Sequence, residues 1–263
     1  MFDYHVHSIF SDDAVTPIDV MIQTAISRGI KEIAITDHYD PDYTDPNYPC
    51  TIDLDEYGKA LEQAQEFYKD EIKIVKGIEM GLQHGGTLTK CEIAAAAFPY
   101  DFIIGAFHHA CSRDLETQFF KERSAEEGIY DYYTYVTDSL SVYKDYDIFG
   151  HINVVDRYTP FIPDYAPFME IIEKLLKVII ADGKGLEFNT SSIRRGLGDR
   201  TTPPQEIIAL YKSLGGEIIT IGSDAHKAEH VGYGYSEAVD ILKANNFKYI
   251  TLFDNRTPRF ERI

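Results

Sequence analysis

The sequence predicts a parallel α/β barrel, and three observations carry that prediction. Short apolar runs that read as strands alternate along the chain with longer stretches of helical period. No glycine-rich phosphate fingerprint follows the first strand, which favours a closed barrel over an open dinucleotide-binding sheet. The nine histidines avoid the helical stretches and gather where strands should end, the rim on which a parallel barrel builds its active site.

The first strand candidate is 2–7 (FDYHVH), followed by a helix over 16–29. Thr16-Pro17 there places a cap before a first-turn proline, and Gly29 stops the helix. Strand 32–38 (EIAITDH) precedes helix 53–69, strand 72–80 (IKIVKGIEM) precedes helix 88–98, and strand 102–108 (FIIGAFH) precedes helix 124–144. Strand 147–151 leads to helix 166–182 and Gly183, and strand 185–190 to helix 203–214 and Gly215. Both glycines fall where a helix should end. Strand 217–224 then leads to a helix over 236–245 begun by Ser236, and 248–253 (KYITLF) is a last strand candidate. The count is seven or eight β-α units. With no linker, low-complexity segment or repeat, 1–263 reads as one domain, an ordinary length for a single barrel.

An apolar content of 44% can fill a sizeable core. The net charge of −18 with histidines neutral argues against a nucleic-acid surface, which needs a basic stripe. Cys50, Cys91 and Cys111 are odd in number and widely spaced, so neither a disulfide framework nor a Cys-x-x-Cys zinc site fits and a reducing compartment is expected. The chain opens directly into a strand without a secretory leader pattern, and apolar runs such as 171–181 are broken by Lys or Glu. The expectation is a soluble, cytoplasmic protein that binds neither nucleic acid nor membrane; its oligomeric state is open.

His5 and His7 are two apart on a strand and project from one face about 6–7 Å from each other. Such a pair can close on one divalent cation of zinc, iron or manganese. His38, His108 and His151 end other strands, and His226 follows one. Glu79 and Asp224 sit at matching strand ends, and Asp12 and Asp13 follow the first strand. A carboxylate can bridge two cations whereas each imidazole serves one, so histidines around a central Glu79 predict a multinuclear centre. Asp37 and His109 have the opposite strand parity to His38 and His108, and orienting or structural roles are expected of them.

In this order, His5-x-His7, Thr36-Asp37-His38, Gly77-Ile78-Glu79, Gly105-Ala106-Phe107-His108, Gly150-His151 and Ser223-Asp224-Ala225-His226 resemble the motifs of the polymerase and histidinol phosphatase (PHP) family. The stretches 150–158 (GHINVVDRY) and 187–194 (EFNTSSIR) resemble its histidinol-phosphatase branch. The resemblance implies a distorted (β/α)7, TIM-like barrel with the metal site at the C-terminal ends of the strands. It implies a histidinol-phosphatase that hydrolyses L-histidinol phosphate to L-histidinol and phosphate in histidine biosynthesis. It also implies three divalent metal ions, zinc, iron or manganese. One would take His5, His7, Glu79 and Asp224, and a second would share Glu79 and add His108 and His151. The third would take His38, His226 and a residue after the first strand, where the pattern favours Asp12 over Asp13. Ser192 stands where the branch usually has glycine, which leaves Arg194 and Arg195 open as substrate contacts.

The expected mechanism is attack on phosphorus by a hydroxide bridging two cations. Arg157, Arg194 and Arg195 would hold phosphoryl oxygens through forked hydrogen bonds, and Asp224 or His226 would supply the proton for the departing alkoxide. The substrate's amine suits an acidic rim, with His84, His230 and the Tyr-rich loop 39–48 as candidates to line its pocket. Competing readings are a PHP-type phosphodiesterase or nuclease, which the acidity disfavours, another small-molecule phosphoesterase, an amidohydrolase-type barrel, for which no strand-end lysine offers a bridge, and a non-catalytic metal-binding barrel.

Overall fold

The computed structural model describes residues 1–44, 52–159, 164–195 and 200–263. Seven strands follow one another around a sheet in chain order: β1 (Phe2–Val6), β2 (Glu32–Ile35), β3 (Lys73–Gly81), β4 (Phe102–Ala106), β5 (Ile148–Phe149), β6 (Gly185–Asn189) and β7 (Ile219–Gly222). Every neighbouring pair is parallel. Just past β7, Ala225 forms a parallel bridge with Val6. The His7 N–H donates to the Ala225 carbonyl at 2.9 Å, and the Ala225 N–H to that of His5 at 3.3 Å. The ring therefore closes after seven strands. Burial at every residue of β2, β4, β6 and β7 is what a sheet with both faces covered requires, and explains why these strands read as near-continuous apolar runs.

The crossovers carry α1 (Ile18–Ser27), α2 (Leu54–Phe67), α3 (Gly86–Ala97), α4 (Ala125–Val142), α5 (Met169–Ala181), α6 (Ser191–Arg195), α7 (Gln205–Ser213) and α8 (Tyr235–Ala244). Asp53 caps α2 by accepting from the N–H groups of Asp55 and Glu56, and Ser124 with Glu127 forms a capping box on α4. Three details differ from the sequence reading. Pro17 sits at the N-cap of α1, not in its first turn. Gly234, in the left-handed region at φ 68°, replaces Ser236 as the start of α8. The five-residue α6 is too short to show a period in the sequence. Among the described residues no helix is long and apolar enough to cross a membrane.

The last strand candidate lies outside the ring. Tyr249–Asp254 (β8) pairs antiparallel with Thr257–Arg262 (β9). Asn255 and Arg256 between them hold φ of 46° and 61°, the turn geometry of a two-residue hairpin, so the chain reverses before another crossover can form. This hairpin covers the N-terminal ends of the strands. The Phe253 N–H donates to the Tyr4 hydroxyl at 2.8 Å, the Phe253 ring packs 4.9 Å from Phe102, and Arg256 pairs with Asp147 at 2.5 Å. Tyr4 in turn donates to Glu32, which also pairs with Arg259. With that mouth sealed, the opposite rim is the open one.

Candidate active site

Glu79, near the end of β3, stands at the centre of the open rim. Its Oε2 lies 3.0 Å from His38 Nδ1, 3.2 Å from His5 Nε2 and 3.5 Å from His7 Nε2. Its Oε1 lies 2.8 Å from His151 Nε2 and 3.5 Å from His108 Nε2. Asp224 approaches from the far side of the ring, with Oδ1 3.6 Å from His7 Nε2. The rings of His7 and His226 stack at 4.1 Å, and that of His38 is 4.2 Å from His7. Barrel closure thus gathers His5, His7, His38, Glu79, His108, His151, Asp224 and His226 in one place.

Most imidazoles are aimed by a bond on the other nitrogen. His5 Nδ1 donates to Glu187 at 2.6 Å, His108 Nδ1 to Asp40 at 2.8 Å, and His226 Nδ1 to the Asp224 carbonyl at 3.1 Å. His7 Nδ1 donates to Ser11 Oγ at 3.1 Å, and the Ser11 hydroxyl donates to Asp37 at 2.7 Å. Each bond orients its ring and, in the neutral imidazole, leaves Nε2 with a lone pair for a cation. Glu187 also accepts the His151 N–H at 2.8 Å and the Asn189 amide at 3.1 Å. Gly222 makes room for this carboxylate, because a Cβ there would meet Glu187 Oε1 at 2.3 Å and His5 Cβ at 2.4 Å. Asp37 binds Ser8 and Ser11, as its strand parity implies. His109 turns away to Thr44 and Tyr43. His151 and Asp224 hold φ of 22° and 53°, a region rarely adopted outside glycine that tends to cluster at functional sites.

Burial pushes Glu79 up, but the charges of His5 and His38 and the hydrogen bonds of His108 and His151 hold it well below the usual carboxylate range. Asp224 behaves alike: burial opposes its ionisation, while His5, Arg157 and His226 hold it well below its ordinary value. An ionised Asp224 suits a metal ligand. Burial and the neighbouring His226 and His38 push His7 down, keeping it neutral as a ligand must be. His5 Nε2, His7 Nε2, His38 Nδ1 and Glu79 Oε2 are all buried without a hydrogen-bond partner. Buried polar atoms are rarely left so, and donor atoms converging from His5, His7, Asp224, Glu79, His151, His38 and His226 lie within 4.8 Å of one another in overlapping triplets. Imidazole and carboxylate donors in this arrangement fit divalent transition metals.

After β1, the Asp13 carboxylate meets the histidines. Its Oδ2 lies 2.9 Å from His226 Nε2 and 3.7 Å from His38 Nε2. Asp12, favoured by the sequence pattern, lines the same cavity. Burial raises Asp13, yet hydrogen bonds with His226 and His38 outweigh it and leave the carboxyl far below its ordinary value.

The cavity above the cluster has a volume of about 340 Å³. Arg157 enters it with Nη2 held by Ser191 Oγ at 2.8 Å and Asp224 Oδ2 at 3.0 Å. Arg195 lines the cavity, while Arg194 donates to the Asp224 carbonyl at 3.3 Å. Tyr43 of the Tyr-rich loop lines it too, and residues 45–48 of that loop lie outside the described residues, as does Cys50. His84 and His230 are not among the lining residues: the His84 N–H donates to the Tyr135 hydroxyl, and His230 sits beside Glu229. Glu116, Thr117 and Tyr158 supply further wall that the sequence did not single out. The orienting roles of Glu187 and Asp40 were not foreseen, although Asp40 lies in the loop expected to line the pocket. A charged residue inside an apolar strand was the available signal for Glu187; nothing local marked Asp40 for that role.

The PHP-domain family model matches residues 3–191. The histidinol-phosphatase of Lactococcus lactis subsp. lactis is 30% identical over 262 residues, covering 95% of this chain and 93% of the relative. A probable histidinol-phosphatase of Thermotoga maritima is 27% identical, with 96% and 95% covered. The crystal structure of the Lactococcus lactis histidinol phosphate phosphatase, complexed with zinc, L-histidinol and phosphate, superposes with a TM-score of 0.87 at 27% identity over 98% of both chains. Motif order, barrel and matched length agree, and the chain belongs to the PHP family, in the branch that holds the histidinol-phosphatases.

Proposed function

We propose that this protein is a metal-dependent phosphomonoesterase that hydrolyses L-histidinol phosphate to L-histidinol and phosphate in histidine biosynthesis. The observation that carries the reading is Glu79 ringed by His5, His7, His38, His108 and His151 beneath a cavity that Arg157 enters. The ligand sets proposed are His5, His7, Glu79 and Asp224 for one cation and Glu79, His108 and His151 for a second. A third takes His38, His226 and Asp13, with Asp13 in place of Asp12. Zinc, iron and manganese all suit these donors.

When bound, such cations lower the pKa of a water and neutralise charge on phosphoryl oxygens. The chain's own residues do the rest. Arg157, braced by Ser191 and Asp224, offers its fork to the phosphoryl group, with Arg195 as a second contact. Asp224 stays ionised, and His226 has Nδ1 committed to a carbonyl and Nε2 to Asp13 or a cation, so both serve as ligands. Glu116, Tyr43 and Tyr158 face the remaining space and match a substrate with an ammonium and an imidazole. The net charge of −18 supports a small-molecule substrate over a nucleic acid, and free Cys91 and Cys111 suit a cytoplasmic location. We read 1–263 as one functional unit.

The test is phosphate release by zinc- or manganese-loaded protein from L-histidinol phosphate, p-nitrophenyl phosphate and a phosphodiester. A kcat/KM of about 10⁴ M⁻¹s⁻¹ or more for the first, with weak turnover of the others, is expected. Faster turnover of the diester, or no preference for histidinol phosphate, overturns the reading.

A further inference from the structure

Arg157 does not stand on a barrel strand. It rides on a 3-10 turn, Val154–Tyr158, three residues beyond the strained His151. A single turn of this kind has little stability of its own, so its geometry must come from elsewhere. The adjacent residue supplies it. Asp156 is 2% exposed and points away from the cavity into a buried polar knot. Both of its carboxylate oxygens accept the Tyr165 hydroxyl, at 2.8 and 2.7 Å, and Oδ2 also accepts the Asn153 amide at 2.8 Å. Asn153 stands at the head of the turn and reaches the Thr201 carbonyl at 3.4 Å with the same amide. Tyr165 leads into α5, packs edge-on against Tyr133 of α4, and is covered by the Arg200 guanidinium 4.7 Å from its ring. The backbone closes the loop, because the Val154 N–H donates to the His151 carbonyl at 2.7 Å and the Asp156 N–H to that of Asn153 at 3.0 Å.

We propose that Asp156, with Tyr165 as its partner, is a positioning residue that sets the phosphate grip of Arg157 from outside the active site. Burying a carboxylate is costly unless it is fully hydrogen-bonded, and Asp156 is held by Asn153 at the head of the turn and by Tyr165 on the approach to α5, while Asn153 in turn holds the Thr201 carbonyl. Asp156 thereby ties the turn to the approach to α5 directly and, through Asn153, to the segment at 201. Removing either end of the Asp156–Tyr165 bond lets the turn relax and moves the guanidinium relative to Ser191 and Asp224, whose own places are fixed by β6, α6 and β7.

This inference rests on the phosphatase reading, and the experiment separates the two. Tyr165→Phe removes one buried oxygen and no volume, and Asp156→Asn keeps the shape of the side chain; neither residue lines the cavity. Metal-loaded wild type, both variants, Arg157→Lys and the double variant Tyr165→Phe/Arg157→Lys are compared. Readouts are KM and kcat for L-histidinol phosphate, inhibition by inorganic phosphate, bound metal and Tm. Tyr165→Phe and Asp156→Asn are expected to weaken inhibition by phosphate and lower kcat/KM about tenfold, the size typical of losing an orienting partner, with metal content unchanged. In the Arg157→Lys background the Tyr165→Phe loss should largely vanish, because the two act through one group. Wild-type phosphate affinity in both variants, or losses that add fully to that of Arg157→Lys, overturns the proposal. Wild type that fails to turn over histidinol phosphate overturns the phosphatase reading instead, and phosphate binding by the loaded protein still reports on Asp156.

Discussion

Replacing Glu187 with Gln should release metal, although Glu187 lies outside the proposed ligand sets. Its carboxylate takes three donors at once: His5 Nδ1 at 2.6 Å, the His151 N–H at 2.8 Å and the Asn189 amide at 3.1 Å. Glutamine offers a single acceptor oxygen, so two orientations exist and both fail. With the amide oxygen on His5, the amide nitrogen faces the N–H of His151 and the Asn189 amide. With the nitrogen on His5, the imidazole must move its proton to Nε2 and can no longer ligate through that atom. A charge-assisted bond is worth about 1.5–3 kcal/mol, and a stranded buried donor costs about 1–3 kcal/mol more. Expressed as binding, a lost orienting partner weakens metal affinity ~10–100-fold. The assay is competition with a graded chelator, followed by metal analysis of the recovered protein beside wild type. Loss of bound metal at a chelator concentration ~10-fold or more lower than wild type requires is expected. Equal retention by folded Glu187→Gln protein refutes the reasoning, since it would mean that His5 is held without its carboxylate.

Two further outcomes follow from the same geometry. Asp13→Ala is expected to lose one cation per chain and Asp12→Ala to keep all of them; metal analysis of both variants checks this, and the reverse pattern restores the sequence-favoured Asp12. In metal-stripped protein, burial lowers His108 but Asp40 and Glu79 prevail and raise it from 6.5 to about 9. The protonated imidazole therefore stabilises the stripped fold below pH 6.5, and this contribution is lost as pH rises through 9. The Tm gap between stripped wild type and stripped His108→Gln should narrow over that window, and a gap that widens contradicts the assignment.

Much of this protein is readable without coordinates. The alternation of strands with helical stretches gives the parallel barrel, because a right-handed crossover after each strand permits few other arrangements. Strand parity and strand ends identify His5, His7, His38, Glu79, His108, His151 and Asp224, because in a parallel barrel every strand end reaches one rim. What the tertiary structure alone decides depends on distance across the ring. The ring closes at seven strands through Val6 and Ala225, while the eighth candidate folds back as a hairpin because Asn255 and Arg256 adopt positive φ. Asp13 Oδ2 comes within 2.9 Å of His226, a contact that strand parity could not foretell, since a turn beyond β1 follows none. Arg195 lines the cavity while Arg194 is turned to the Asp224 carbonyl, a choice made by one short helix. Glu187, Asp40 and Asp156 act on partners up to 182 residues away in the chain. Local pattern fixes which residues can reach the rim, because backbone geometry repeats along a strand. Only packing fixes which carboxylate holds which imidazole, because those bonds join segments that share no local geometry.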